Sequence, residues 1–184
     1  MGFRSRIEAS LKHIIAILLL PFTVTVLIPI LILRPAQSAR IGGGMPFPGD
    51  WIFAALGILL IAAGLFFLAG TIRLFAVRGR GTLAPWHPPQ ALVVEGPYRY
   101  VRNPMISGVL FILLGEAALL ASMPLFGWFV FAAALNAVYI PLAEEPGLER
   151  RFGASYAQYK RNVPRWVPRL RPWDGNDTAN SSAG

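Results

Sequence analysis

Cysteine is absent from this chain of 184 residues. Disulfides, thiol nucleophiles and cysteine-ligated metal sites are therefore excluded. Histidine is nearly absent: His13 and His87 stand alone, too few for a histidine-rich metal centre, and no metal is expected. His13 opens an apolar run and reads as an interfacial residue. His87 lies among prolines and reads as structural. Charge is scarce too. Charged residues make up 14% of the chain, against about 25% in soluble domains. Acidic residues are the rarest of these, 9 against 17 Lys and Arg. No internal repeat is visible.

What the chain has in quantity is apolar sequence, 55% of all residues. Four long runs stand out, at 13–33, 51–75, 105–123 and 125–143. A membrane-spanning helix needs about 20 predominantly apolar residues, so the expected fold is all-α: a polytopic membrane bundle of four transmembrane helices. The basic residues orient it. Arg34 and Arg40 alone fall on one side, and the other fifteen of the 17 fall on the opposite side. Cytoplasmic loops collect Lys and Arg, so both termini and the long middle loop are expected in the cytoplasm. The net charge of +8 flanks apolar spans, where anionic lipid head groups attract it. The expected partner is therefore the lipid bilayer and not nucleic acid. The first run exceeds the roughly 7–15 residues of a signal-peptide core, so an uncleaved first helix is expected.

Punctuation divides the rest. Pro21 and Pro29 are expected to kink the first span. Gly42-Gly43-Gly44, Pro46 and Pro48 make a short turn outside. Trp51 is an interfacial aromatic. Ala63, Gly64, Ala69 and Gly70 permit close helix contact, within one chain or between two. The loop GRGTLAPWHPPQALVVEGPYRYVRN at 79–103 holds Pro85, Pro88, Pro89 and Pro97, which forbid a long helix; residues 91–95 are read as a brief strand-like stretch. A loop this long usually carries function. Ser122-Met123-Pro124 is expected to separate the last two spans in a tight hairpin. Beyond Glu144-Glu145-Pro146, the residues Leu148, Phe152, Tyr156 and Tyr159 recur at helical spacing, with Glu149, Arg150, Arg151, Lys160 and Arg161 on other faces. This predicts an amphipathic C-terminal helix on the cytoplasmic surface. The whole of 1–172 reads as one domain, and 173–184 as a disordered tail.

The hairpin brings two charged clusters together. One is Tyr98-Arg99-Tyr100-Val101-Arg102-Asn103-Pro104, before the third span. The other is Glu144-Glu145, after the fourth. On residues alone two readings stand open: ion pairs that tie helix ends together, or a binding site. Glu116 is expected near the middle of the third span, where an ionisable group is costly. Asn136 lies at comparable depth as its candidate hydrogen-bond partner.

The stretch 81–170 resembles the core of the isoprenylcysteine carboxyl methyltransferase and phospholipid methyltransferase superfamily of integral membrane enzymes. The resemblance rests on LVVEGPYRYVRNPM at 92–105, on Gly108 one helical turn after Pro104, and on EEPGLERRFGASYAQYKRNVPRWVPRL at 144–170. It covers about half the chain. It implies a small helical bundle holding S-adenosylmethionine near the cytoplasmic surface, with a catalytic core at 79–171, most naturally in a bacterial inner membrane. Arg102, Asn103, Pro104, Gly108, Glu144 and Glu145 would line the cofactor site, and 163–170 would close over it.

The cofactor's chemistry suits these residue types. Arg99 or Arg102 can bind its carboxylate, Glu144 or Glu145 its ammonium, and Tyr98 or Tyr100 its sulfonium or adenine. Arg102 and Glu145 are the expected catalytic pair. The implied activity is methyl transfer to a hydrophobic or membrane-associated acceptor, such as an isoprenylcysteine-type carboxylate or a phospholipid-like amine. The alternatives are methylation of a small thiol, or a non-enzymatic membrane protein that keeps the fold. Asn103 stands where histidine is usual in the family, and Ile106 where tyrosine is usual.

Overall fold

A computed structural model describes residues 19–34, 41, 48–78, 92 and 94–175, leaving aside the side chains of 75–78. His13, the glycine turn at 42–44, and the 79–91 loop with His87 lie outside the described residues. Every regular element among those described is helical. Helix α1 runs Leu19–Leu33. It is followed by α2 (Gly49–Arg78), a 3-10 turn (Gly96–Arg99), α3 (Pro104–Leu119), α4 (Met123–Tyr139) and α5 (Glu145–Asn162). The strand-like stretch expected at 91–95 is not a strand at Leu92, Val94 or Glu95. Glu95 has extended dihedrals, but without a ladder partner extension alone does not make a sheet.

Two helices are long and apolar enough to cross a membrane: the Gly49–Leu74 part of α2, with mean hydropathy 2.7, and the continuous helical stretch Met123–Asn162, with mean hydropathy 1.8. Only 11% and 17% of their apolar windows are buried inside the protein. Outward surface of this kind needs lipid and marks a membrane protein. The described part of α1 and the whole of α3 are shorter apolar helices.

Helices α2 and α3 are pressed together, antiparallel, at paired glycines. A Cβ on Gly57 would lie 2.7 Å from the Gly115 carbonyl oxygen, and one on Gly64 would lie 2.6 Å from that of Gly108. The reciprocal distances are 2.8 Å in both cases. Gly57 and Gly64, like Gly108 and Gly115, are two turns apart and so share a face. Gly64 fits the small-residue expectation. Gly70 instead meets Pro97, and Ala69 is exposed. The closest helix contact is thus between α2 and α3, at spacings that allow backbone to approach backbone.

Helix α3 has 16 residues, about 24 Å of rise, and ends earlier than the apolar run at 105–123 suggests. The turn falls at Leu120, Ala121 and Ser122, with Ala121 at φ 42°. Met123 already belongs to α4. The turn expected at Ser122-Met123-Pro124 is therefore shifted, because a proline in the first turn of a helix gives up an N–H that has no partner there anyway. Glu116 consequently sits in the last turn of α3 rather than mid-span. Asn136 does not pair with it: the Asn136 side chain donates to the Ala132 carbonyl one turn back, at 2.9 Å.

The prolines widen helices without breaking them. In α1 a π turn spans Thr23–Leu27, with the Ile28 N–H donating to the Thr23 carbonyl. The Thr25 and Thr23 hydroxyls donate to the carbonyls of Pro21 and Leu19. Pro141 likewise sits in a π segment, Ile140–Glu144, where the Glu145 N–H donates to the Ile140 carbonyl. The chain therefore stays helical past Ala143 and delivers Glu144 and Glu145 directly into α5. Helix α5 bends at Gly153 (φ 53°, ψ −128°). Its Tyr156 and Tyr159 are buried with Val163 and Trp173, against Leu148 and Phe152. Trp173 is 5% exposed and belongs to this packing; residues 176–184 of the expected tail lie outside the described residues.

Candidate functional site

The site lies where the entry to α3 meets the start of α5. Gly96, at φ 52°, starts the 3-10 turn. The N–H groups of Tyr100 and Val101 both donate to the Pro97 carbonyl. Val101 is fully buried and anchors the turn. Asn103 precedes α3, accepts the Ser107 N–H at 2.9 Å, and is followed by buried Pro104. Arg102 is thereby fixed at the mouth of α3. Its Nη1 donates to Glu145 Oε1 at 2.9 Å, with only 9% of the Arg102 side chain and 4% of the Glu145 side chain exposed. The two expected charge clusters do come together, 43 residues apart in sequence.

Glu145 is the hub. Arg165 Nε donates to the same Oε1 at 2.7 Å, and Lys160 Nζ lies 3.0 Å from Oε2. Lys160 also pairs with Glu149 at 2.8 Å. Burial alone would raise the proton affinity of Glu145, but hydrogen bonds from Arg165 and Lys160 and the charge of Arg102 outweigh it and hold the carboxyl below the ordinary range. Glu144 behaves oppositely. Burial, and then the neighbouring Glu145 charge, push its proton affinity up. Among the described residues no cation reaches the Glu144 carboxylate. Tyr98 is pushed up by burial and then by Glu144, so its phenol stays neutral. Tyr156 is also raised chiefly by burial, with the neighbouring Arg102 charge acting the other way. Arg102 Nε is buried without a partner.

The C-terminal stretch 163–174 lies across this mouth as a strap. The Arg102 N–H donates to the Pro164 carbonyl, the Arg169 N–H to that of Tyr100 and the Trp173 N–H to that of Arg99, each at 2.9 Å. Arg99 Nε donates back to the Trp173 carbonyl at 3.0 Å, and Arg99 pairs with Asp174. The buried Ser107 hydroxyl donates to the Trp166 carbonyl at 3.1 Å. The Tyr159 hydroxyl donates to the Tyr98 carbonyl at 2.7 Å. A recess of about 270 Å³ opens on the Arg99 side of the strap, lined by Val94, Glu95, Arg99, Trp173, Asp174 and Gly175.

Among the residues singled out from sequence, Tyr98, Arg102, Glu144 and Glu145 gather in one place. Arg99 and Tyr100 hold the strap. Asn103 and Pro104 begin α3. Gly108 faces away, against the Gly64 carbonyl of α2. Sequence reasoning did not single out Lys160, Arg165, Ser107, Tyr156 or Trp173 for the site. The first two were visible as cations near the Glu144-Glu145 motif, but a sequence does not show which cation folds back onto which acid.

The family model described as phospholipid methyltransferase matches residues 52–155, more than half of the chain. A curated protein named methanethiol S-methyltransferase 2, from Bradyrhizobium diazoefficiens, is 41% identical over 76 residues, covering 40% of this chain and 27% of that protein. The match thus spans about a quarter of that relative's length. No solved structure matches.

Proposed function

The chain belongs to the phospholipid methyltransferase family, and from that premise we propose that it transfers a methyl group from S-adenosylmethionine to a hydrophobic or membrane-associated acceptor. The observation that carries this reading is the buried Arg102–Glu145 pair beside Glu144, which has no cation partner among the described residues. A donor with a carboxylate, an ammonium and a sulfonium needs opposite charges held close together at a place shielded from water.

The residues suit that donor. Arg102 keeps a buried guanidinium N–H without a partner, and Glu144 is a half-buried carboxylate that no cation among the described residues neutralises. A buried carboxylate of this kind is costly until a cation meets it. Tyr98, Arg99, Tyr100, Arg102, Asn103, Pro104, Glu144 and Glu145 form the proposed cofactor region, with Gly108 turned instead toward α2. When bound, S-adenosylmethionine supplies an already activated methyl group. The protein's task is then to align the acceptor and exclude water. A carboxylate or thiolate acceptor needs no general base, whereas an amine must lose a proton to one.

In the bilayer we place four spans in a single domain, with both termini cytoplasmic and α5 on the cytoplasmic surface. The charge count supports this: fifteen of the 17 Lys and Arg then lie inside, as cytoplasmic loops require. A second reading, methylation of a small thiol, is favoured by the relative named for methanethiol. The test is calorimetry of S-adenosylmethionine binding to purified protein in detergent, followed by transfer of labelled methyl to a panel of carboxylate, amine and thiol acceptors. Absence of both binding and transfer would sink the reading.

A further inference from the structure

The strap holds two large apolar side chains out from the protein. Leu170 is 100% exposed and Val167 is 73% exposed. Neither is on a loose segment. The Arg169 N–H donates to the Tyr100 carbonyl and the Trp173 N–H to that of Arg99, so Leu170 is displayed between two fixed points. Val167 follows Trp166, whose carbonyl takes the Ser107 hydroxyl. Ser107 belongs to the first turn of α3. The strap therefore runs beside the end of an apolar helix and not above it.

Helix α3, with 16 residues, rises about 24 Å, less than a hydrocarbon core of about 30 Å. As one of the four spans placed above, it brings its mouth to the level of the lipid head groups or below it. Exposed apolar residues of α4 and the π segment after it, Tyr139 and Leu142, reach the same end of the bundle. Charge fits as well. Residues 163–174 hold Arg165, Arg169 and Arg171 against one acid, Asp174, and Arg171 is exposed next to Leu170. Basic side chains beside apolar ones suit a surface of anionic lipid.

We propose that the strap is a membrane-docking element: Val167 and Leu170 enter the apolar edge of the leaflet at the site's end of the bundle, and Arg171 meets the head groups of anionic lipids there. This role rests on the four-span placement and not on methyl transfer. It gives the strap two attachments. Arg165 ties it to Glu145 inside the protein, and Val167, Leu170 and Arg171 tie it to lipid.

The chain has no cysteine, so Leu170→Cys and Val167→Cys each offer a single site for an environment-sensitive fluorophore, at positions whose side chains are mostly exposed. The labelled full chains are reconstituted into vesicles of phosphatidylcholine alone, or of phosphatidylcholine and phosphatidylglycerol in equal parts. Retention after an alkaline wash checks the membrane placement separately; a chain that washes off overturns that placement and the docking with it. In retained protein both probes should emit to the blue of the dye in water. They should be quenched by lipids carrying a nitroxide high on the acyl chain and should resist aqueous acrylamide. Arg171→Ala should cut lipid quenching of the Leu170→Cys probe about fivefold in the anionic vesicles, the effect of one basic residue near such a surface, and leave it unchanged in phosphatidylcholine alone. Water-like emission with quenching by acrylamide would overturn the docking. Shielding from acrylamide without quenching by lipid would overturn it too, because protein, such as a second copy of the chain, would then cover the strap. Equal lipid quenching with and without Arg171 in the anionic vesicles would overturn the head-group contact.

Discussion

Trp128 donates its indole N–H to the Val24 carbonyl at 3.1 Å, joining α4 to α1. The bond has a local cause. In the π turn of α1 the Thr23 carbonyl takes the N–H of Ile28. The same register would ask Val24 to take the N–H of residue 29, and residue 29 is proline. A carbonyl left free in apolar surroundings is costly, so an indole from another helix supplies the donor. Trp128→Phe keeps most of the ring and removes that donor. It should destabilise the protein by about 1–3 kcal/mol, read as a lower unfolding temperature in detergent. Trp51→Phe, at an exposed position, should have little effect.

Gly64 and Gly108 admit no side chain. Gly64→Ala and Gly108→Ala should each force α2 and α3 apart and cost about 1–3 kcal/mol. Gly127→Ala, with open space around it, should be neutral. Thermal unfolding of the three variants checks the contrast. Equal stability in all of them would mean that the glycine contact is not what holds α2 to α3.

Arg102→Ala and Glu145→Ala should each weaken S-adenosylmethionine binding by calorimetry. They should also destabilise the fold, by about 3–5 kcal/mol where a buried pair loses one member. Unchanged donor affinity in both variants would move the proposed site elsewhere.

The two carboxylates should leave opposite marks on stability against pH. Glu145 is held below its ordinary value near 4.5. Its contribution is full above that value and is lost as pH falls through the lower, folded-state value. Glu145→Gln should flatten this acid-side loss. Glu144 is held above its ordinary value, so the folded protein keeps its proton longer than the unfolded chain does, and stability declines as pH rises through the shifted range. Glu144→Gln should remove that decline and gain stability at neutral pH. Unfolding temperatures across the acid-to-neutral range read both effects.

Much of the site was legible because charge is so sparse. With 9 acidic residues in the whole chain, a Glu144-Glu145 doublet stands out, and a helical hairpin brings it back to Arg102 although the two are 43 residues apart. Glu116 shows where such reading stops. The apolar run continues past Leu119 without a break in composition, so the helix end, and with it the depth of Glu116, depended on the turn at Ala121 and on where Pro124 could be seated.

Composition and periodicity alone determined the helical class and the apolar segments, because each follows from chain-local hydropathy. They also marked the acidic and basic clusters. The partner of each charge was decided only in three dimensions. The π segment at Ile140–Glu144 sets the direction in which Glu145 points, and the strap brings Arg165 back onto it. Contacts between segments this distant depend on backbone geometry summed over many residues, which no local window contains.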